Sequence, residues 1–230
     1  MRHIRSTIVR AVAVAALPLL VAGCSSAEPD EQEKGNGAGS GGSASASAKP
    51  SLAPARFTEL PAPCKVLAEK TVKDLVPKTK DVSGSPGRSS DTNARASCHW
   101  NGLNGFQYRW LEVSFERTDT VEGIGSAEDQ AKAAYARLKA EAAVPEGLKK
   151  GETPAIRVVP DLGDESQLVS ATVRQDGDDY REVTVVARTS NVVVTVGYEG
   201  TGFEGSKLPK AKEIEDGAVK AAKEALAAFK

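Results

Sequence analysis

Three strand-like segments joined by very short turns constrain the fold of this chain more than any other feature. They cover residues 168–174, 181–188 and 191–198. The Asp176-Gly177 pair between the first two segments is typical of a tight hairpin turn, and Thr189-Ser190-Asn191 lies at the second connection. Parallel strands need much longer connections, so these segments predict an antiparallel sheet.

Two more strands are predicted earlier in the chain. The first begins at residues 98–100, where Cys98 and Trp100 are two residues apart and therefore share one face, which we expect to be the core face. The second covers residues 108–117, in which apolar and polar residues alternate. A cluster of turn-forming residues at 101–105 is predicted to separate the two strands.

The apolar residues of three other segments recur at helical spacing. These segments cover residues 64–76, 126–143 and 209 to almost the end of the chain. Pro63 and Pro77 bracket the first helix, and Ser126 is a good N-cap for the second. The order of helix, two strands, helix, three strands and helix predicts an α+β fold, with helices packed on an antiparallel β-sheet of about five strands.

The N-terminus has the pattern of an export signal rather than of a folded segment. Arg2, Arg5 and Arg10 make a basic start, and a run of mostly apolar residues follows at 11–22. A membrane-spanning helix needs about 20 apolar residues, whereas this shorter run suits a signal peptide. We therefore expect residues 1–23 to be a signal peptide.

The segment from Leu20 to Cys24 resembles the bacterial lipobox, in which an aliphatic residue and two small residues precede an obligatory Cys. The resemblance implies cleavage before Cys24 and a diacylglyceryl group on its thiol, often with a third acyl chain such as palmitate. Each buried methylene contributes about 0.8 kcal/mol, so these chains would anchor the protein to the outer face of the cytoplasmic membrane. An ordinary secretory signal followed by a chance Cys is the alternative.

The rest of the chain divides into a linker and one domain. Residues 24–56 comprise the lipidated Cys and a segment rich in Gly, Ser and Ala, which has too few bulky apolar residues to form a core. A flexible segment of this length reaches roughly 30 Å. Residues 57–230 are expected to form a single globular α+β domain.

The charge of the processed chain argues against two classes of partner. Removal of residues 1–23 takes away three arginines and no acidic residue, which leaves 27 basic and 31 acidic residues. A nucleic-acid-binding protein needs a basic surplus to neutralise phosphates, so we expect no nucleic-acid partner. The same balance is not that of a polybasic membrane-surface binder, and the membrane contact is expected through the lipid on Cys24.

Two cysteines remain after Cys24 is assigned to lipid. Cys64 and Cys98 form an even pair, and in an exported protein such a pair is expected to form a disulfide bond. The alternative is a metal site that uses Cys64, Cys98 and His99. Zinc sites normally need four ligands at short paired spacings, and neighbouring Cys and His side chains on a strand point apart.

Three short motifs resemble those of uncharacterised secreted lipoproteins of actinobacteria, which share a conserved domain of unknown function. They are Pro63-Cys64 at a helix start, Cys98-His99-Trp100, and the segment Pro160-Asp161-Leu162-Gly163-Asp164-Glu165-Ser166. The family pattern has Gly and Ala where this chain has Asp161 and Ser166. The resemblance implies an exported α+β domain with a Cys64–Cys98 bridge, and it carries over no catalytic residue.

The candidates for chemistry are few. His99 is the only histidine of the processed chain and is expected on the outer face of its strand, and no Gly-x-Ser-x-Gly nucleophile motif occurs. Asp164 and Glu165 either cap and orient the following strand or form a binding site. Residues 176–179 lack the ligand spacing of an EF-hand, so they indicate a solvated hairpin tip. We expect no catalytic residue, no metal and no other cofactor.

These observations favour a non-catalytic binding or interaction module of the cell envelope, anchored outside the cytoplasm. Its partner is expected to be an envelope protein, a glycan or a small ligand. The alternative is a cell-envelope enzyme, or an accessory subunit of one, with an unrecognised site built from carboxylates. An apolar pocket with convergent polar groups and shifted pKa values would favour a specific ligand, whereas a filled core would favour protein contacts at the surface.

Overall fold

The computed structural model describes residues 51–229, which form an α+β fold of one seven-stranded antiparallel sheet and three α-helices. The strands are β1 (Ser85–Pro86), β2 (Arg95–Asn104), β3 (Gln107–Arg117), β4 (Ala155–Arg157), β5 (Glu165–Gln175), β6 (Asp178–Thr189) and β7 (Val192–Gly202). The helices are α1 (Glu69–Leu75), α2 (Ala127–Ala142) and α3 (Ala211–Ala227), and a short 3-10 helix covers Pro63–Lys65. The order across the sheet is β1-β2-β3-β7-β6-β5-β4.

The predicted fold class is confirmed, but the prediction of about five strands is wrong. The five predicted strands correspond to the long strands β2, β3, β5, β6 and β7. The two additional strands, β1 and β4, lie at the two edges of the sheet and have only two and three residues. All their side chains are exposed, so they pair through the backbone and leave no alternating apolar pattern to detect.

The hairpin between β5 and β6 has the predicted tight turn. Gln175 pairs with Asp178, which leaves Asp176 and Gly177 as the two turn residues. Both have positive φ, 50° and 95°, as a turn that matches the twist of its strands requires. Between β6 and β7, Thr189 pairs with Val192, and Ser190 has a φ of 50°.

The predicted turn at residues 101–105 is wrong for most of its length. Strand β2 continues to Asn104, and the turn consists of Gly105 and Phe106 alone. Gly102 serves a close approach instead, since a Cβ atom there would lie 2.5 Å from the carbonyl oxygen of Pro77. The glycine therefore lets the segment after α1 pack against β2.

The first predicted helix is divided into two elements. The 3-10 helix holds Cys64, and α1 begins only at Glu69, after Ala68 in an extended conformation. The carboxylate of Glu224 on α3 accepts hydrogen bonds from the Ala68 amide and the Thr71 hydroxyl. A side chain from another helix therefore caps α1 at a point that local sequence does not mark.

The inner face of the sheet carries the main core. Helices α1 and α3 cover it, and Val72, Leu75, Ile214 and the alanines of α3 pack against the inward side chains of β2, β3, β6 and β7. Cys98 and Trp100 lie on this face with no more than 2% of their surface exposed, as predicted. The indole of Trp100 donates a hydrogen bond to the Val82 carbonyl.

Helix α2 packs on the opposite, outer face. Its N-cap is Ser126, as predicted, whose hydroxyl accepts a hydrogen bond from the Asp129 amide. Ala134 and Tyr135 of α2 form a small second core with Val186 of β6 and Val193 of β7. Because this cluster lies near the turn between β6 and β7, α2 leaves the farther half of the outer face without a helix.

Candidate binding surface

The half of the outer face beyond α2 carries aromatic and acidic side chains. Strand register and the alternation of side chains place them together, and all are half-buried rather than buried. We call this surface the open face, and its residues are His99, Tyr108, Trp110, Glu112, Tyr180, Glu182, Thr184, Gly197 and Glu199. It extends over the four strands β2, β3, β7 and β6.

Aromatic rings lie on both sides of this surface. The rings of His99 and Trp110 stack with centroids 4.6 Å apart and planes within 9° of parallel. Tyr108 and Tyr180 meet edge to face at 6.5 Å. The rings present flat apolar surface and polar edges on the open face.

Two glutamates face each other between the aromatic groups. Glu182 of β6 pairs in register with Glu199 of β7, and Glu199 pairs with Trp110 of β3. Directly opposed side chains on antiparallel strands have Cβ atoms about 5 Å apart. Among residues 51–229, Glu182 and Glu199 take part in no ion pair.

The environment of these carboxyl groups disfavours their charged forms. Burial, and then the negative charge of Glu199, raise the pKa of Glu182 to about 7. Burial also raises the pKa of Glu199, against a hydrogen bond from Gln175 that lowers it. Burial first and Glu199 second raise the pKa of Tyr108 and of Tyr180. The open face is therefore an acidic surface with little compensation from nearby cations.

The middle of the open face has room above the backbone. Gly197 lies in the row of paired residues that joins Glu112 to Thr184. A Cβ atom on Gly197 would meet no heavy atom within 4 Å, apart from its chain neighbours. The glycine therefore leaves a shallow depression in the middle of the open face.

A groove lies at the border between the open face and α2. It comprises a cavity of about 220 Å³, which reaches Glu112 and Leu138, and a cavity of about 670 Å³ beside Arg137. The two cavities share Ser89, Arg95 and Glu116. Two further cavities, of about 470 and 460 Å³, lie against α3, away from the open face.

Asp164 and Glu165, the binding candidates from the sequence, contact an arginine of the same chain. Arg188 is buried, its Nε donates to Glu165 at 2.9 Å, and one of its terminal nitrogens lies 3.3 Å from the carboxylate of Asp164. Asp164 also accepts a hydrogen bond from the Ser190 amide. These carboxylates hold the start of β5 against the turn between β6 and β7.

The backbone of the same motif is shaped for this contact. Asp161 and Gly163 have positive φ, 56° and 70°. A Cβ atom on Gly163 would lie 2.4 Å from the Arg188 carbonyl oxygen, which accepts the Asp164 amide. The Ser166 hydroxyl donates to the Val159 carbonyl and accepts from its amide. The motif therefore performs a structural task in the described part of the chain.

Cys64 and Cys98 form the predicted disulfide bond, with Cα atoms 5.1 Å apart. It joins the 3-10 helix to β2, and both thiols are thereby excluded as metal ligands. His99 lies on the outer face, as expected for a residue between Cys98 and Trp100. Cys24 and its proposed lipid lie outside the described residues.

The acidic pair of the open face was not among the predicted site residues. Glu182 lies within a predicted strand and Glu199 lies one residue beyond the end of another. Alternation indicates that each points outward, but which residues stand opposite each other depends on the register of β3, β7 and β6. A sequence-based pairing of β6 with β7 through their short turn would have placed the two glutamates side by side.

Two further findings concern membranes and metals. Among residues 51–229, no helix combines the length and apolar character needed to cross a membrane. The same residues contain no group of three or more His, Cys, Asp or Glu side chains arranged to hold a metal ion.

Comparison with known proteins gives a family without an assigned activity. No curated protein matches the chain. The crystal structure of CalU16 from Micromonospora echinospora is 11% identical, covers 59% of this chain and 85% of its own, and superposes with a TM-score of 0.25. A likeness of that size carries no inference about function.

A family model matches residues 19–196, well over half of the chain, and is described as a protein of unknown function (DUF3558). The predicted resemblance is thus confirmed at the level of a shared domain of unknown function. The chain belongs to this DUF3558 family.

Proposed function

We propose that the protein is an exported lipoprotein, anchored through Cys24, whose domain is a non-catalytic binding module of the cell envelope. The basic start, the apolar run at 11–22 and the lipobox-like residues before Cys24 support the anchor. In this proposal residues 1–23 are removed, residues 24–56 tether the domain, and residues 57–230 bind the partner.

One observation carries the binding role. The inner face of the sheet has a filled core under α1 and α3, whereas the open face leaves aromatic and carboxylate side chains half-buried. Half-buried Trp and Tyr side chains are typical of protein interfaces, where they supply apolar area and a polar edge. The open face is therefore the proposed binding surface.

The entry point of the chain suits a tethered module. The Ala53 carbonyl accepts the Thr120 hydroxyl, and the Phe57 backbone exchanges two hydrogen bonds with the Asn191 side chain. Asn191 lies at the beginning of β7, and Glu199 lies near the other end of that strand. At about 3.3 Å per residue they are roughly 26 Å apart. The tether thus joins the domain at the end opposite the open face.

The anchor is tested by mass spectrometry of membrane fractions. Acyl groups are expected on Cys24, and a Cys24→Ala variant should be left unprocessed or released from the membrane. A processed, membrane-bound protein without acyl groups on Cys24 would contradict the anchor.

The binding surface is tested by photo-crosslinking in intact cells. A photoreactive residue at Thr184, on the open face, should give a discrete adduct. The same residue at Lys220, on the outer side of α3, serves as the matched control. Adducts from Lys220 alone, or from neither position, would overturn the choice of surface.

A second candidate function is an envelope enzyme that uses a pair of carboxylates. Glu182 and Glu199 favour it, because opposed carboxyl groups with raised pKa values are a common arrangement for general acid catalysis. Cell-wall fragments incubated with the protein and analysed by mass spectrometry provide the test. Cleavage that disappears in both Glu182→Gln and Glu199→Gln variants would replace the binding role with the catalytic one.

A further inference from the structure

The open face has the shape of a docking surface for a macromolecule. Small ligands bind in concave sites that enclose most of their surface. Of the four cavities described above, none is lined by Trp110, Glu182 or Glu199, and one reaches the open face only at Glu112. Four strands give a width of about 14 Å, and residues 108–112 of β3 give a length of about 13 Å. This area accommodates a few residues of an extended chain.

The charge of the open face is what a partner has to match. Glu112, Glu182 and Glu199 take part in no ion pair within the described residues. Like charges that face each other across a sheet destabilise it, so the pair of Glu182 and Glu199 costs the free protein stability. A cation placed between these carboxylates removes that cost.

The aromatic side chains around the carboxylates favour the same partner. Trp110 stands beside Glu199, and Tyr108 and Tyr180 lie close enough for Glu199 to raise their pKa values. Lysine and arginine side chains bind to aromatic faces through cation–π contacts and to carboxylates through charged hydrogen bonds. An arginine or lysine that enters the depression at Gly197 can make both contacts.

We propose that the open face docks an extended lysine- or arginine-rich segment of a partner protein. The inference rests on the proposed function and specifies its partner. Basic side chains lie between the opposed glutamates and against Trp110, and the apolar stems of these side chains cover the aromatic rings. A neutral glycan or an acidic peptide would leave the two carboxylates without a matching charge, and a second copy docked through the same face would set carboxylates against carboxylates.

The test uses the full-length chain and an octapeptide of lysine as the probe. Trp110 is half-buried on the open face and Trp100 is buried on the inner face, so a change in tryptophan fluorescence reports on Trp110. We expect saturable binding that weakens as salt is raised, since salt screens exposed charges. An octapeptide of glutamate and the neutral oligosaccharide chitohexaose are the comparison ligands.

Two double variants separate the surface from net charge. The variant Glu182→Gln/Glu199→Gln removes the opposed carboxylates, and the control Glu59→Gln/Glu122→Gln removes two exposed carboxylates elsewhere. Both raise the net charge by two units. We expect the Kd for the lysine peptide to rise about tenfold or more in the first variant and less than about twofold in the control. Circular dichroism of both variants checks that they are folded.

The outcomes distinguish this inference from the proposed function. Equal weakening in both variants, or no binding of the lysine peptide, overturns the basic partner. If isothermal titration calorimetry then shows that chitohexaose or the glutamate peptide binds, and that this binding is lost with Trp110→Ala, the open face remains a binding surface of different chemistry. Self-association that disappears in Glu182→Gln/Glu199→Gln would assign the surface to a second copy. If none of the three probes binds and the Thr184 position gives no adduct, both the basic partner and the open face as a binding surface are contradicted.

Discussion

Asp164 and Glu165 lie against the buried guanidinium of Arg188, whereas Glu182 and Glu199 face each other across two strands with no ion pair to a cation of residues 51–229. The two pairs belong to the same sheet. Asp164 and Glu165 lie at the start of β5, whereas Glu182 lies in β6 and Glu199 in β7. The negative charge of the first pair is neutralised by Arg188 of the same chain. The second pair brings like charges together, which disfavours the free domain, and the proposed binding of a basic segment would offset that cost.

The comparison also separates a motif from a site. The Leu162-Gly163-Asp164-Glu165 segment is prominent in the sequence because a tight turn, a close approach and an ion pair require those residues. Glu182 and Glu199 belong to no motif, because the four strands of the open face draw its residues from different parts of the chain. Prominence in the sequence thus marks the structural pair.

Replacement of Arg188 by Met is expected to have the largest effect on stability. The substitution leaves Asp164 and Glu165 without their cation and leaves a cleft in the outer face, at a cost of about 3 kcal/mol in the free energy of unfolding. Urea denaturation measures the loss. Arg95→Met, which removes an exposed ion pair with Glu116, should change stability by less than about 0.5 kcal/mol. Equal losses in the two variants would contradict the structural role of Arg188.

Replacement of Gly163 by Ala should cost about 2 kcal/mol. The residue has a φ of 70°, and the added Cβ atom would meet the Arg188 carbonyl. Thermal unfolding followed by circular dichroism measures the effect. Gly123→Ala, at a positive φ of 80° but with open space around it, isolates the cost of backbone strain from that of the clash. If Gly163→Ala costs no more than this control, the close approach has no energetic role.

The pH dependence of stability is expected to reveal the carboxyl pair of the open face. The pKa of Glu182, about 7 in the folded domain, lies above the ordinary value of 4.5, so folded Glu182 binds a proton that unfolded Glu182 releases. Stability should therefore fall as the pH rises from about 4.5 to about 7. Glu199, Tyr108 and Tyr180 face the same region and stay in place in the test variant.

Glu182→Gln should remove part of this fall, on the order of 1 kcal/mol after screening by solvent. Urea denaturation at a series of pH values between 4 and 8 gives the slopes, with Glu59→Gln as the control. Parallel curves for the wild type and Glu182→Gln would contradict a raised pKa of Glu182 in the folded domain.

The smallest expected effect is a gain. Gly197→Ala places a methyl group where no heavy atom lies within 4 Å. The residue has the extended backbone conformation of β7, which any amino acid can adopt. It should stabilise the domain by about 0.5 kcal/mol, because the unfolded chain loses freedom. The same denaturation experiments measure it. A loss of more than about 1 kcal/mol would mean that the depression on the open face is already filled.

The sequence predicted the fold better than the surface that the fold creates. The long strands, the Asp176-Gly177 turn, the Ser126 cap and the Cys64–Cys98 bridge each follow from local pattern or cysteine count. The edge strands β1 and β4 do not, because backbone pairing alone defines them. The cap of α1 by Glu224 also depends on a helix about 150 residues away.

The candidate surface failed to emerge for a similar reason. Each of its residues has an ordinary place in an alternating strand. The short turn between β6 and β7 pairs Glu182 with Glu199, but their position beside Trp110 depends on the register of β3 with β7, which are not consecutive in the chain. The central pairing of β3 with β7 joins segments about 80 residues apart, and no local signal specifies it. Asp164 and Glu165 were conspicuous as a candidate because local signals are what a single sequence displays.

The aromatic contact between Phe57 and Phe229 has a consequence for engineering. Their ring centroids are 5.4 Å apart, so the two ends of the described domain meet at one place. A short peptide could join these ends, and new termini could be opened at the exposed turn of Asp176 and Gly177. Such a circular permutant would keep the residues of every strand pairing and lose only the covalent connection between β5 and β6. A linker attached at that turn would join the domain beside the open face rather than at the opposite end of β7.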